Sequence, residues 1–438
     1  MVSTPPLSPN PVDGLIRKLA QLGQKAATEL SQKLAKLPQK TAEILISRIN
    51  KRVDNLENNI EEYYQTALQQ CREIIKGPKI QIVIPSHLIK QSSQNPWIKG
   101  KAIFYKPFSS TKLEVDCVVA CGHWYKLGEV KEKTINIIDH LDKLLPPQTN
   151  TFGKEGPIGL VTFQNGMMND FENVENDDFL NTSDLISQQF PEKPLCIGLY
   201  NPTTGYIWED MYRFQNESNY NKLAVYSLCQ MVKTLADLLP QINPTLRWAH
   251  FAHSEAGLIA NAVFEICEQF RDTREYLQKH LITVTYGAVK PIPKEYVLQA
   301  INTYSKNDIA LFFGKHYIDK KLDELTDIPE SGYASTKVYR GKTYHIKIIN
   351  SLTEKSSLIY IPERLSLEEK FQLSFWEHLS HQELSLPYTS DLVSHQINKL
   401  AYQIKDHGFA EASYQQAFED NVDTLRKKYK IYKHVVSR

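Results

Sequence analysis

The stretch Trp248-Ala-His-Phe-Ala-His-Ser-Glu-Ala-Gly257 decides the fold. Its first half is a short apolar strand, and an apolar helical pattern from Leu258 to Phe270 follows its second half at once. A strand, a tight turn with a serine at its tip and then a helix compose the nucleophile elbow of serine hydrolases, usually written G-x-S-x-G. Here Ala252 and Ala256 stand at the two glycine positions. Small residues are needed there because the serine backbone bends sharply and the helix begins hard against the strand; alanine is the mildest departure from glycine. A competing reading makes Ser254 an ordinary helix N-cap, since serine is favoured immediately before a helix.

Working outward, strands and helices alternate on both sides of this turn. Ile158 to Phe163 and Leu195 to Tyr200 are apolar strands upstream, with helical patterns from Asp170 to Gln189 and from Lys222 to Leu239. Leu281 to Tyr286 and Val297 to Tyr304 are the strands downstream. Near-continuous apolar strands separated by helices predict a mostly parallel sheet covered on both faces. Further upstream, Ile80 to Pro85, Lys101 to Tyr105 and Leu113 to Cys121 read as a strand meander feeding that sheet, which is an α/β-hydrolase-like arrangement. Past Asp308 a strand pair is expected around Arg340-Gly341, then helical patterns at Leu365 to Glu377, Leu392 to Asp406 and Tyr414 to Tyr429.

The N-terminal part has a different period. Residues 1–11 are rich in Pro and Ser and read as a disordered tail. Leu15, Leu19, Leu22, Ala26, Leu30 and Leu34 recur at helical spacing until Pro38, and Ile46, Ile49, Val53, Leu56, Ile60, Tyr63 and Ala67 continue as a coiled-coil-like seam. Nine Lys or Arg face two Glu between Gly14 and Arg52. Three readings compete for this arm: a helical hairpin packed on its own domain, a self-association arm, or an amphipathic segment at a membrane surface. The organisation expected is a tail (1–11), a helical arm (12–77), an α/β-hydrolase-like domain (78–410) and a C-terminal helix with a basic tail (411–438).

Composition sets outer bounds. The 438 residues, 42% hydrophobic and 23% charged, are those of a globular chain with room for an α/β domain and accessories. A net charge of +1 argues against a dedicated nucleic-acid binder. The six cysteines (71, 117, 121, 196, 229 and 267) are scattered through apolar patterns, as for reduced, buried thiols. Cys117-x3-Cys121-x-His123 invites a zinc reading, but a strand there spaces its i and i+4 side chains too widely to grip one ion. No apolar run is long enough to span a membrane and no apolar signal core opens the chain, so the expected location is the cytoplasm or export without a cleavable signal.

A nucleophilic serine needs a base, the base needs an orienting acid, and the oxyanion needs donors; α/β-hydrolases place these in the order Ser, Asp or Glu, His. Asp308, just past the strand ending at Tyr304, stands where the acid belongs, with a plain Asn-Asp turn as the alternative. His381 is the candidate base and His378 its nearest rival; His345 lies within a strand pattern, and His395 and His407 on or just past a helix. The Glu255 N–H and the loop Phe163-Gln-Asn-Gly-Met167, through Gly166 or Met167, are the candidate oxyanion donors. Such chemistry requires no cofactor or metal.

Four segments then carry a resemblance: Gln164-Asn-Gly-Met-Met-Asn169; Gly198-Leu-Tyr-Asn-Pro-Thr-Thr-Gly205 followed by Asp210; His253-Ser-Glu-Ala-Gly257; and His381-Gln-Glu-Leu-Ser-Leu-Pro-Tyr388. Over about residues 156 to 400 the chain resembles a family of uncharacterised proteins from chlamydia-type intracellular bacteria, whose catalytic region is similar to lipase-like α/β-hydrolases. The resemblance implies Ser254, Asp308 and His381 as a triad with His378 in reserve, and an acyl-ester or lipid substrate. It departs from the family pattern at Ala256 and at Leu384-Ser-Leu386. The alternative from a different class is an inactive hydrolase fold that serves as an interaction or host-directed effector protein.

Overall fold

The computed structural model describes residues 79–148 (with short gaps), 156–166, 189–202, 220–306, 332–350 and 412–431, together with single positions or short runs within 61–72, 179–188 and at 308. Residues 1–60, Met167, Asp210, His378, His381, His395, His407 and the helical patterns expected between 365 and 406 lie outside them.

Among the described residues one eleven-stranded sheet organises the fold. Its first strands are β1 (Gln81–Pro85), β2 (Ile98–Tyr105), β3 (Lys112–Ala120) and β4 (Thr134–Asn136). Then come β5 (Ile158–Gln164), β6 (Leu195–Leu199), the long helix α1 (Tyr220–Ile242), β7 (Arg247–His253), α2 (Glu255–Cys267), α3 (Arg271–His280) and β8 (Leu281–Tyr286). The chain continues with β9 (Gln299–Ser305), the hairpin β10 (Tyr333–Tyr339) and β11 (Lys342–Ile349), and α4 (Ala412–Lys428). Across the sheet the order is β10-β11-β9-β8-β7-β5-β6-β3-β2-β1-β4.

The expectation of a mostly parallel sheet needs correction: the sheet is mixed. The block β6-β5-β7-β8-β9-β11 is parallel throughout, whereas β1 to β4, the β3–β6 junction and the β10–β11 hairpin are antiparallel. The physical reason is visible strand by strand. Every residue of β5, β6, β7 and β8 is buried, as for strands covered on both faces. β1 and β2 instead alternate buried and more exposed positions, the signature of strands that keep one face wetter and join neighbours through shorter loops.

Helices cover both faces. The face carrying Thr162, Trp248 and His250 packs under α1 and α2, with the His250 ring edge-on to Phe264 at 6.1 Å. On the other face Phe251 meets Phe418 of α4 at 5.1 Å and Phe190 at 6.0 Å. In the helical stretch within 61–72, Tyr64, Ala67, Leu68 and Cys71 are buried, and the Tyr64 hydroxyl lies 2.7 Å from Asn261 Oδ1 and 2.5 Å from Glu265 Oε2 on α2. Thus Ala67, the last residue of the expected seam, packs against the core of its own chain.

The route of the chain creates one crevice. From β5 it steps to β6 on one side, then returns past β5 to β7 on the other. Such a reversal of strand order opens a cleft at the carboxyl ends of the two strands on either side of it, where ligands of open α/β sheets bind. Asn165-Gly166 and His253-Ser254 are the residues at those two ends.

Candidate active site

Ser254 joins β7 directly to α2, with φ 55° and ψ −120°. This is not a capping conformation. An N-cap residue is extended and its side chain accepts an amide hydrogen from the first turn, and Ser254 does neither. A positive φ combined with such a negative ψ is reached at little cost only by glycine, and persists elsewhere only where the surroundings enforce it. Here they do. The Ser254 N–H donates to the Tyr286 carbonyl at the end of β8 (2.9 Å), and the Ser254 carbonyl accepts from the Gly257 N–H (3.0 Å). Behind the turn, β7 is buried over all seven residues.

Glycine is required beside this turn at two places. A Cβ on Gly166 would lie 2.5 Å from Ser254 Cβ and 3.0 Å from the His253 carbonyl, so the β5 loop comes as close to the serine as backbone can. A Cβ on Gly257 would lie 2.4 Å from Ala288 Cβ, which fixes how near α2 approaches the loop after β8. Ala252 and Ala256, by contrast, fit in place, both nearly fully buried.

A polar network ties the β5 loop to the elbow. Asn165 Nδ2 donates to the Asn201 carbonyl (3.0 Å) and to the Gly166 carbonyl (2.9 Å), while Asn165 Oδ1 accepts from the Asn201 N–H (2.7 Å). Asn201 Nδ2 in turn donates to the Glu255 carboxylate (2.7 Å). The side chains of Asn165, Asn201 and Glu255 are all buried, so each of these bonds forms in a poorly solvated space where it orients strongly. Three segments that are distant in sequence, after β5, after β6 and at the start of α2, are thereby locked around Ser254.

The expected acid is also near. Asp308 is buried, and its N–H donates to the Ser305 carbonyl (3.1 Å), turning the chain just past β9. Its Oδ2 accepts a hydrogen bond from the Tyr414 hydroxyl on α4. The Tyr414 ring sits edge-on to His253 (6.1 Å) and Tyr286 (5.7 Å), so it lies between the acid and the elbow. The fold therefore gathers Ser254, Glu255, Gly166 and Asp308 at one edge of the sheet. The expected base, His381, lies outside the described residues.

Two residues nearby carry no motif in the sequence that marks them for a role. Tyr414 had only a helical pattern to announce it. His250 is buried on the opposite face of β7, with Nδ1 2.8 Å from Thr162 Oγ1, to which Trp248 Nε1 also donates (2.6 Å). Burial in this apolar setting pushes the imidazole down to about 3. Farther off, Cys121 and Cys117 are buried free thiols. Burial pushes Cys121 up to about 12, and its Sγ accepts the His123 N–H at 3.3 Å. Among the described residues no three ligating side chains converge as a metal site would require, and no helix is long and apolar enough to cross a membrane.

No family model and no curated protein matches the sequence. Solved structures to which the chain is similar include dienelactone hydrolase from Anabaena variabilis, 10% identical, with 70% of this chain and 97% of that chain covered at a TM-score of 0.26. A variant of the esterase rPPE is 10% identical, with 80% and 88% covered and a TM-score of 0.28. An uncharacterised protein from Capnocytophaga ochracea is 11% identical, with 78% and 96% covered and a TM-score of 0.25.

Proposed function

We propose that the chain is a serine hydrolase of acyl esters, of the lipase or esterase kind. The observation that carries this reading is the backbone of Ser254: a non-glycine residue at φ 55° and ψ −120° on a strand-to-helix turn, without a capping bond. Strain of this sort, roughly 1–3 kcal/mol, is kept where it presents a side chain for chemistry.

In the proposed reaction the Ser254 hydroxyl attacks the ester carbonyl while His381 takes its proton. The tetrahedral oxyanion is held by the Glu255 N–H with an N–H of Gly166 or Met167. Collapse expels the alcohol, which receives the proton back from His381. Water then hydrolyses the acyl-serine by the same steps, and Asp308 keeps the imidazole oriented throughout. Gly166 supports this reading because it brings backbone, and no side chain, against Ser254. An ester presented at a lipid surface is the form of substrate that the basic segment between Gly14 and Arg52 would suit.

A second reading, an inactive hydrolase fold used for interaction, draws on Ala252 and Ala256 at the usual glycine positions. A fluorophosphonate probe separates the two. Labelling of the wild type that disappears in Ser254→Ala and in His381→Ala is the expected result; a folded wild type that several such probes leave unlabelled would overturn the hydrolase reading. His378→Ala in the same assay decides which histidine is the base.

A further inference from the structure

We infer that Tyr414, on the C-terminal helix, is a positioning residue of this site: its hydroxyl sets the orientation of the Asp308 carboxylate and shares its charge. The inference rests on the hydrolase reading above and extends the site to the C-terminal helix, past the region 78–410 read from the sequence as the hydrolase-like domain.

The geometry leaves the hydroxyl little choice. Tyr414 Oη accepts the Ser305 N–H at 3.1 Å. A phenol has one proton to give, and Tyr414 donates it to Asp308 Oδ2. Ser305 and Asp308 are themselves joined through the Asp308 N–H, so hydroxyl, strand end and carboxylate form one closed unit. Both Tyr414 and Asp308 are buried. A carboxylate offers acceptor sites on both oxygens, so a hydroxyl on one is compatible with an imidazole on the other.

The helix that delivers Tyr414 is itself fixed. Tyr414, Phe418, Asn421 and Leu425 form a single buried stripe at helical spacing. Asn421 Nδ2 donates to Tyr286 Oη (3.2 Å) and to Thr303 Oγ1 (3.1 Å), anchoring α4 across β8 and β9. The titratable groups whose rings face Tyr414 are His253 on β7 and Tyr286 on β8; Asp420 of α4 acts on Tyr286 by its charge and lies 3.9 Å from Lys347 of β11.

A hydroxyl that shares the negative charge of Asp308 weakens the pull of that carboxylate on an imidazolium. Removing it should therefore strengthen the pull and raise the imidazole pKa. The test is the pH profile of kcat/KM on a soluble ester, with the rate of fluorophosphonate labelling measured in parallel. Tyr414→Phe keeps the ring and removes the hydroxyl, and the acid limb should move to higher pH by about half a unit, a fraction of what one hydrogen bond does to the carboxylate itself. Incorporating 3-fluorotyrosine at 414, a stronger donor of the same shape, should move it the other way and covers the case in which Tyr414→Phe does not fold. Asn421→Ala loosens the same helix but keeps the hydroxyl, so it should lower stability and move the limb by less than Tyr414→Phe does. An unmoved limb in the labelled phenylalanine and fluorotyrosine proteins, or an equal shift in Asn421→Ala, would overturn the inference. Absence of labelling in the wild type would instead overturn the hydrolase reading on which it rests.

Discussion

Among the described residues, β4 passes into the short 3-10 helix Ile137–His140 and β7 into α2, and these two junctions are made in opposite ways. At the end of β4, Asn136 is extended (φ −84°, ψ 110°) and its Oδ1 accepts the N–H of Ile138 (3.3 Å) and that of Ile82 (3.0 Å). This is helix initiation as backbone chemistry favours it: the side chain satisfies a donor that the first turn leaves open. At the end of β7, Ser254 has an equally suitable side chain and does not use it for capping. Its backbone is forced into a region suited to glycine by hydrogen bonds to Tyr286 and Gly257 and by the close approach of Gly166. A serine not spent on capping, and held under strain, presents its side chain for other work.

The largest effect that would sharpen this contrast is expected at Gly166. Gly166→Ala should lower the proposed ester hydrolysis on the order of a hundred- to a thousand-fold, because the new methyl would overlap Ser254 and displace the proposed oxyanion donors; kcat and KM measured separately should assign most of the loss to kcat. At Gly341, on the exposed hairpin, a Cβ meets nothing within 4 Å but φ is 76°, so Gly341→Ala should cost about 1 kcal/mol of stability and leave activity unchanged.

The strand that enforces the Ser254 turn carries its own pH dependence. His250 is neutral in the folded protein, with its pKa lowered to about 3 by burial, whereas in the unfolded chain it titrates near 6.5. Between those values the unfolded state binds the extra proton, so this stability is fully present above pH 6.5 and is lost as pH falls toward 3. At pH 4 the loss should be on the order of 3 kcal/mol, and urea denaturation of His250→Asn should lack that part of the slope. A variant with the same slope as wild type would detach His250 from the acid sensitivity of the fold.

The smallest effects bear on the comparison most directly. Ser254→Gly relieves the backbone and should raise stability by about 1 kcal/mol, and Ser254→Ala should change it little. Asn136→Ala should lower stability by about 1 kcal/mol. If thermal melts show Ser254→Ala as damaging as Asn136→Ala, the serine is a cap and the contrast fails.

Much of this arrangement is legible in the chain. The strands from Ile158 to Tyr286 have runs of apolar residues, and the folded strands coincide with those runs to within about two residues, the ordinary uncertainty of element ends. Two elements escape such a reading. α3 (Arg271–His280) is half charged, with Thr273, Tyr276 and Leu277 its buried residues, too few for an apolar period to stand out. β4 is three residues long and owes its place to pairing with β1.

By itself, the sequence determined the alternation of elements, the small residues around Ser254 and the order in which Ser254 and Asp308 appear, because periodicity and turn chemistry are local properties of neighbouring residues. Only the tertiary structure decided the mixed character of the sheet, the step from β5 to β6 and back to β7, the sign of φ at Ser254 and the meeting of Tyr414 with Asp308. Each of these depends on groups far apart in the chain. Pairing between distant strands sets the sheet order, the packing of β5 and β8 around one turn holds its strain, and a helix more than one hundred residues downstream supplies the hydroxyl.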